Sequence, residues 1–153
     1  MSFSSSNQCN NKNNNTYIHH LPNSRHILIV DDDSDILSVI RRPLEEYGFN
    51  TCCFTKPRIA LEHYRTSHNN HDLVISDLQM PIVSGFEFIR KVKDINPNVK
   101  AFLMTSGFEL SDSGLLLSPN NSSSVHLMID EFILKPFSIQ ELVVLIRKHI
   151  GVT

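Results

Sequence analysis

Residues 26–36 read HILIVDDDSDI. After His26 the strand is apolar with no polar alternation, and this short run suits a strand buried on both faces, as in a parallel sheet covered by helices. The run then stops at three adjacent carboxylates, Asp31, Asp32 and Asp33. Like charges about 4 Å apart repel by roughly 4 kcal/mol at an effective dielectric near 20. The carboxylates must therefore splay into water or gather round a cation. Asp33 or Ser34 can cap a following helix, in which Ile36, Val39, Ile40, Leu44 and Tyr47 recur at helical spacing. Pro43 falls inside this pattern and predicts a kink or an early stop, and Gly48 predicts the end.

The same unit repeats along the chain. NTCCF (50–54) predicts a strand, and 56–67 a helix with Thr55 as cap and Pro57 in its first turn. LVIS (73–76) predicts a strand ending at Asp77. Ser84 and Glu87 have capping-box spacing for a helix reaching about Ile95. VKAFLMT (99–105) and EFILK (131–135) predict two more strands. Ser138 and Glu141 form a second box, opening a helix with Ile139, Leu142, Val143, Ile146 and Ile150 inward. Five strands alternating with helices predict an α/β fold, a doubly wound five-stranded parallel sheet. Residues 106–130 interrupt the alternation with Gly107, Gly114, Pro119 and the run NNSSS, so the fourth helical region is expected to be irregular or shortened, with a turn or two at LLL (115–117). Residues 1–24, containing NQCNNKNNN, lack the apolar content that offsets ordering entropy and are expected to form a disordered tail before a domain at 25–153.

The 153 residues suit one domain, and 41% hydrophobic with 20% charged residues is ordinary globular composition. A net charge of −2 gives no electrostatic footprint for nucleic acid or a membrane surface. No signal peptide or spanning segment is legible. Cys9, Cys52 and Cys53 have no framework spacing, and the adjacent pair reads as two small strand residues facing opposite sides. The expected compartment is a reducing cytoplasm. His19–His20 reads as a solvated tail pair. His63, His68 and His71 could suggest a metal site, but without a carboxylate or cysteine partner in view they read as exposed loop. RKVK (90–93) reads as a solvated helix face.

The residues that close the buried strands are Asp31 and Asp32, Asp77, Thr105 and Lys135. In an open parallel sheet ligands bind beyond the carboxyl ends of the strands. Three carboxylates there offer all-oxygen chemistry to a hard cation, Mg²⁺ first. With Lys135 counted, one divalent ion neutralises the cluster. Without metal, like-charge repulsion is expected to raise the aspartate pKa values. Asp33 and Asp35 read as helix caps.

IVDDD (29–33), VISDLQMP (74–81), LMTS (103–106) and ILKPF (133–137) together resemble the receiver domain of two-component response regulators, over about residues 25–151. The resemblance implies a flavodoxin-like strand order 2-1-3-4-5. It implies Asp77 as phosphoacceptor, and Mg²⁺ held by Asp31, Asp32, Asp77 and the backbone carbonyl of Gln79. Thr105 and Lys135 would contact the phosphoryl group, with a cis Lys135–Pro136 peptide. The implied partners are a sensor histidine kinase or phosphotransfer protein and a downstream protein target, without direct nucleic-acid contact or membrane insertion. Such a domain is a switch rather than a turnover enzyme, catalysing its own phosphorylation and dephosphorylation. Phe132 takes the place of the switch aromatic and lacks a hydroxyl. Gln79 and Gly107 would govern access to the phosphoryl group. The interval from Thr105 to Lys135 is longer than usual in that family, the surplus lying in 106–130. Thr153 follows the last helix closely, so a stand-alone receiver is expected. Two alternatives stand beside it: a small Mg²⁺-dependent phosphohydrolase with an aspartyl nucleophile, which Asp31 and Asp33 fit formally, and a receiver-like interaction module that takes no phosphate.

Overall fold

A computed structural model describes residues 8–9, 24–106 and 128–151, the first two by their backbone. Most of the expected tail, Gly107, and nearly all of the irregular 106–130 stretch lie outside these residues.

The strands are β1 (Gln8–Cys9), β2 (His26–Val30), β3 (Asn50–Phe54), β4 (Leu73–Asp77), β5 (Lys100–Thr105) and β6 (Glu131–Leu134). Their order is β1-β3-β2-β4-β5-β6. The last five are parallel, which is the expected 2-1-3-4-5 order. The two-residue β1 adds an antiparallel edge to β3, pairing Gln8 with Cys53 and Cys9 with Cys52. The helices are α1 (Ser34–Glu46), α2 (Pro57–Ser67), α3 (Gly85–Ile95) and α4 (Ile139–Ile150).

Two apolar layers sandwich the sheet. Leu28, Val30, Val74 and Leu103 point to one side, with Phe88, Ile89 and Val92 of α3 and Ala60 and Tyr64 of α2. Ile27, Ile29, Ile75 and Phe102 point to the other, with Ile40 and Leu44 of α1 and Leu142 and Ile146 of α4. Alternate residues of one strand thus feed both cores, so the central strands have no solvent-facing position within their buried runs, and even Ser76 of β4 is buried. Cys52 and Cys53 divide in the same way between the layers.

Several local expectations are corrected. The helix α1 runs unbroken through Pro43. The carbonyl this leaves without its usual donor belongs to Val39, which is 65% exposed, so water can satisfy it. The buried stripe of α1 is Leu37, Ile40 and Leu44, while Val39 and Tyr47 face outward: the apolar face is rotated from the expected one. Lys56, not Thr55, occupies the N-cap of α2 and makes no side-chain cap bond; Pro57 opens the helix instead. At α3 the Ser84 hydroxyl accepts from the Glu87 N–H, but the Glu87 carboxylate pairs with Lys91 at 3.2 Å, leaving the box half closed. The Ser138–Glu141 box closes fully. Lys93 does not lie on a solvated face: it donates to the Val99 carbonyl at 2.6 Å and to Asp130 at 3.2 Å.

Candidate functional site

The carboxyl ends of β2, β4, β5 and β6 meet at one edge of the sheet. Asp31, just past β2, is held by its own N–H, which donates to the Phe54 carbonyl at 3.2 Å. Its Oδ1 accepts from the Asp33 N–H at 2.9 Å. Asp33 in turn caps α1, accepting from the Asp35 N–H at 2.9 Å. The three adjacent acids therefore part company: Asp31 is 1% exposed, Asp32 opens to solvent, and Asp33 serves the helix. Asp77 ends β4 and is buried. One carboxylate oxygen each from Asp31, Asp32 and Asp77 lie within 4.8 Å of one another.

Lys135 completes the cluster. Its Nζ is 2.6 Å from Asp77 Oδ1 and 3.2 Å from Asp31 Oδ2. Its own N–H donates to the carbonyl of Thr105, a fully buried residue closing the neighbouring strand, at 2.8 Å. The Lys135–Pro136 peptide is cis. Gln79 is exposed two residues after Asp77, and Phe132 packs partly buried on the α2–α3 side of the sheet.

Burial is the main reason the Asp31 pKa is raised; the Asp33 N–H and Lys135 oppose it, and the Asp32 charge adds least. The expected direction holds for Asp31, but desolvation outweighs the expected like-charge repulsion because Asp32 points to water. Burial works against the Lys135 charge, yet the hydrogen bond to Asp77 and the charges of Asp31 and Asp77 outweigh it and raise its pKa.

One positioning residue escaped the sequence reading. A Cβ on Gly85, the first residue of α3, would fall 1.9 Å from the Asp77 carbonyl oxygen and 2.9 Å from Leu103 Cδ1. Its N–H donates to the Leu78 carbonyl at 2.8 Å, docking α3 against the end of β4. The signal available was a glycine opening a helix, where it is a poor helix former. The histidines were also misread. His71 is 8% exposed, its Nε2 lies 3.2 Å from His63 Nε2, and a cysteine partner is present, with Cys52 Sγ 3.8 Å from His63 Nε2. The partner sits on β3, so no local pattern could reveal it.

An open parallel sheet with acids and a lysine at the carboxyl ends of its strands defines a receiver-type domain. The response regulator receiver domain family matches residues 27–147, and the chain belongs to it. The chain is 31% identical over 118 residues to the response regulator SaeR of Staphylococcus epidermidis, a match covering 77% of this chain and 47% of that protein. The SaeR of Staphylococcus aureus is 27% identical over 122 residues, covering 80% and 49%. The chain thus spans about half the length of the curated relatives it matches. A receiver domain protein from Clostridium thermocellum superposes with a TM-score of 0.72 at 28% identity, covering 83% of this chain and 94% of that one. The receiver domain of the sensor histidine kinase PA1611 from Pseudomonas aeruginosa, with a magnesium ion in its active site cleft, shares the fold at a TM-score of 0.66 and 19% identity, covering 85% and 100%. No helix among the described residues is long and apolar enough to cross a membrane.

Proposed function

We propose that Asp77 accepts a phosphoryl group from a phosphohistidine of a sensor histidine kinase or phosphotransfer protein, and that the resulting aspartyl phosphate sets the state this domain presents to a downstream protein. The observation that carries the reading is the Lys135 ammonium 2.6 Å from Asp77, beside two further carboxylates within 4.8 Å. The donor set is all oxygen and strongly anionic, which fits Mg²⁺. Asp31, Asp32 and Asp77, with the carbonyl of Gln79, would hold the ion, which would neutralise charge on the phosphoryl oxygens.

An ionised Asp77 oxygen forms a bond to phosphorus as the P–N bond to the donor imidazole breaks. The electron pair stays on the imidazole nitrogen, which takes a proton. Lys135 offsets the charge of the transferred group, and the Thr105 hydroxyl donates to one of its oxygens. Attack by water on phosphorus releases inorganic phosphate and restores the carboxylate; Gln79, exposed two residues after Asp77, would govern the access of that water. Phe132 has no hydroxyl, so it couples to the site through packing. An apolar groove of about 470 Å³, lined by Ile36, Val39, Lys135, Pro136 and Phe137, opens beside the lysine and gives a phosphodonor a surface to approach. The phosphohydrolase reading loses support because Asp33, the acid it needs, is spent on capping α1.

Incubation with acetyl phosphate and Mg²⁺ should label the protein, with the label sensitive to hydroxylamine. Asp77→Asn should abolish labelling. An Asp77→Asn protein that labels at the parent rate overturns the assignment.

A further inference from the structure

We propose that Cys52, in its thiol form, joins His63 and His71 in a second metal site, suited to Zn²⁺ and separate from the carboxylate cluster. The ligands come from three elements: Cys52 from β3, His63 from α2, and His71 from the segment leading into β4. The two Nε2 atoms are 3.2 Å apart, Cys52 Sγ is 3.8 Å from His63 Nε2, and all three donor atoms lie within 4.8 Å of one another. Zinc bonds of about 2.0–2.1 Å to nitrogen and 2.3 Å to sulfur, arranged tetrahedrally, place neighbouring donors about 3.3 Å apart for two nitrogens and about 3.6 Å for nitrogen and sulfur. The cluster is thus near the size of the ion it would enclose. Two imidazoles and a thiolate favour Zn²⁺ over Mg²⁺, so the two sites sort metals by donor chemistry.

The imidazoles are held ready for an ion. Burial lowers the His63 pKa, and burial with the neighbouring His63 and His26 lowers that of His71 to about 4. Both shifts favour the neutral imidazole that a metal ligand must present. The two Nε2 atoms face each other, and the Ser67 hydroxyl lies 3.3 Å from that of His71. The ring of Phe54 lies 5.2 Å from that of His63, and Tyr64 stacks on His71 at 5.9 Å, so aromatic packing orients both ligands. His71 Nδ1 is buried and has no partner. A zinc-bound imidazole ordinarily donates that N–H, and its lack lowers affinity by about 10–100-fold, which points to binding weaker than in a structural zinc site.

The Cys52 sulfur is engaged in a disulfide in this structure, and β1 runs alongside it, with Cys9 opposite Cys52 in the register. Disulfide and metal compete for the same sulfur. Metal binding to the thiol forms a sulfur–metal bond and releases the thiol proton. Access to the thiol requires two-electron reduction of the disulfide, which a phosphine supplies while becoming its oxide with oxygen from water.

The test is a Co²⁺ titration of phosphine-reduced protein in excess Mg²⁺, which fills the carboxylate site, followed by absorbance. The expected result is one equivalent showing thiolate-to-cobalt charge transfer and the visible bands of tetrahedral cobalt, displaced by Zn²⁺. The signal should survive in Cys53→Ser, vanish in Cys52→Ser, and be absent before reduction. His63→Gln and His71→Gln should each weaken binding by more than about tenfold. His63 is only partly buried, so its variant serves if His71→Gln fails to fold, as judged by circular dichroism. No sulfur charge transfer, a band that survives Cys52→Ser, or unchanged affinity in a folded histidine variant overturns the proposal.

Discussion

Asp130 shows how much one side chain can organise. Its carboxylate accepts from Lys100 Nζ at 2.8 Å, Lys93 Nζ at 3.2 Å and the Ala101 N–H at 2.9 Å, tying the entry to β6 against the start of β5. Burial alone would raise its pKa, but these donors outweigh burial and lower it. A carboxylate whose folded pKa is depressed contributes stability that is present above its unfolded pKa, near 3.9, and is lost as pH falls through the folded value. Asp130→Asn should therefore cost about 2 kcal/mol at pH 7. The gap between variant and parent should shrink steadily below pH 4. Urea midpoints at pH 7 and pH 3 check it; a gap that is constant with pH would assign the loss to packing.

Two features of the segment between β4 and α3 act at the scale of an element. Gly85 lets the first turn of α3 rest directly on the Asp77 backbone. Gly85→Ala should force the helix off the strand end, destabilising by about 3 kcal/mol, and should slow labelling of Asp77 as well. Urea unfolding and acetyl phosphate labelling read the two effects. Before it, Ile82 has φ of 74° and is 92% exposed, while the Val83 N–H bonds the Pro81 carbonyl at 2.9 Å. A β-branched residue in the left-handed region is strained, and this one loses little packing if removed. Ile82→Gly should raise stability by about 0.5–1 kcal/mol, after the greater unfolded-state entropy of glycine is set against the relieved strain. An unchanged or lower urea midpoint would show that the turn is unstrained.

For the whole molecule, an ion held by the carboxylate cluster would link binding to folding. The site draws on β2, β4 and β6, which lie far apart in the chain and bring their carboxyl ends together only in the folded sheet. An ion bound there binds the native state alone. Mg²⁺ at ten times its dissociation constant should stabilise the fold by about 1.4 kcal/mol. Asp32→Asn, which alters the exposed member of the cluster, should remove most of that gain. Thermal unfolding with and without Mg²⁺ measures it, and an equal gain in both proteins would place the ion elsewhere. The opposed cores were legible because apolar stretches such as Ile27–Val30 and Leu73–Ile75 leave no solvent face, whereas the strand order was implied only by the resemblance of the four motifs to the receiver family. The face of α1 was less legible: Val39 and Leu37 are equally apolar, and only packing against the sheet and α4 decides which is buried.

By itself, the sequence determined that five buried strands alternate with helices and that Asp31, Asp32, Asp77, Thr105 and Lys135 close them. Those are local facts: hydrophobic period, capping chemistry and the residue at which an apolar run stops. Tertiary structure alone decided how three neighbouring aspartates divide between a buried carboxylate, an exposed one and a helix cap. It also decided that Gly85 must stay small and that Cys52 meets two histidines. Each of those outcomes depends on contacts between segments remote in the chain, where burial and distance exist only once the sheet has closed.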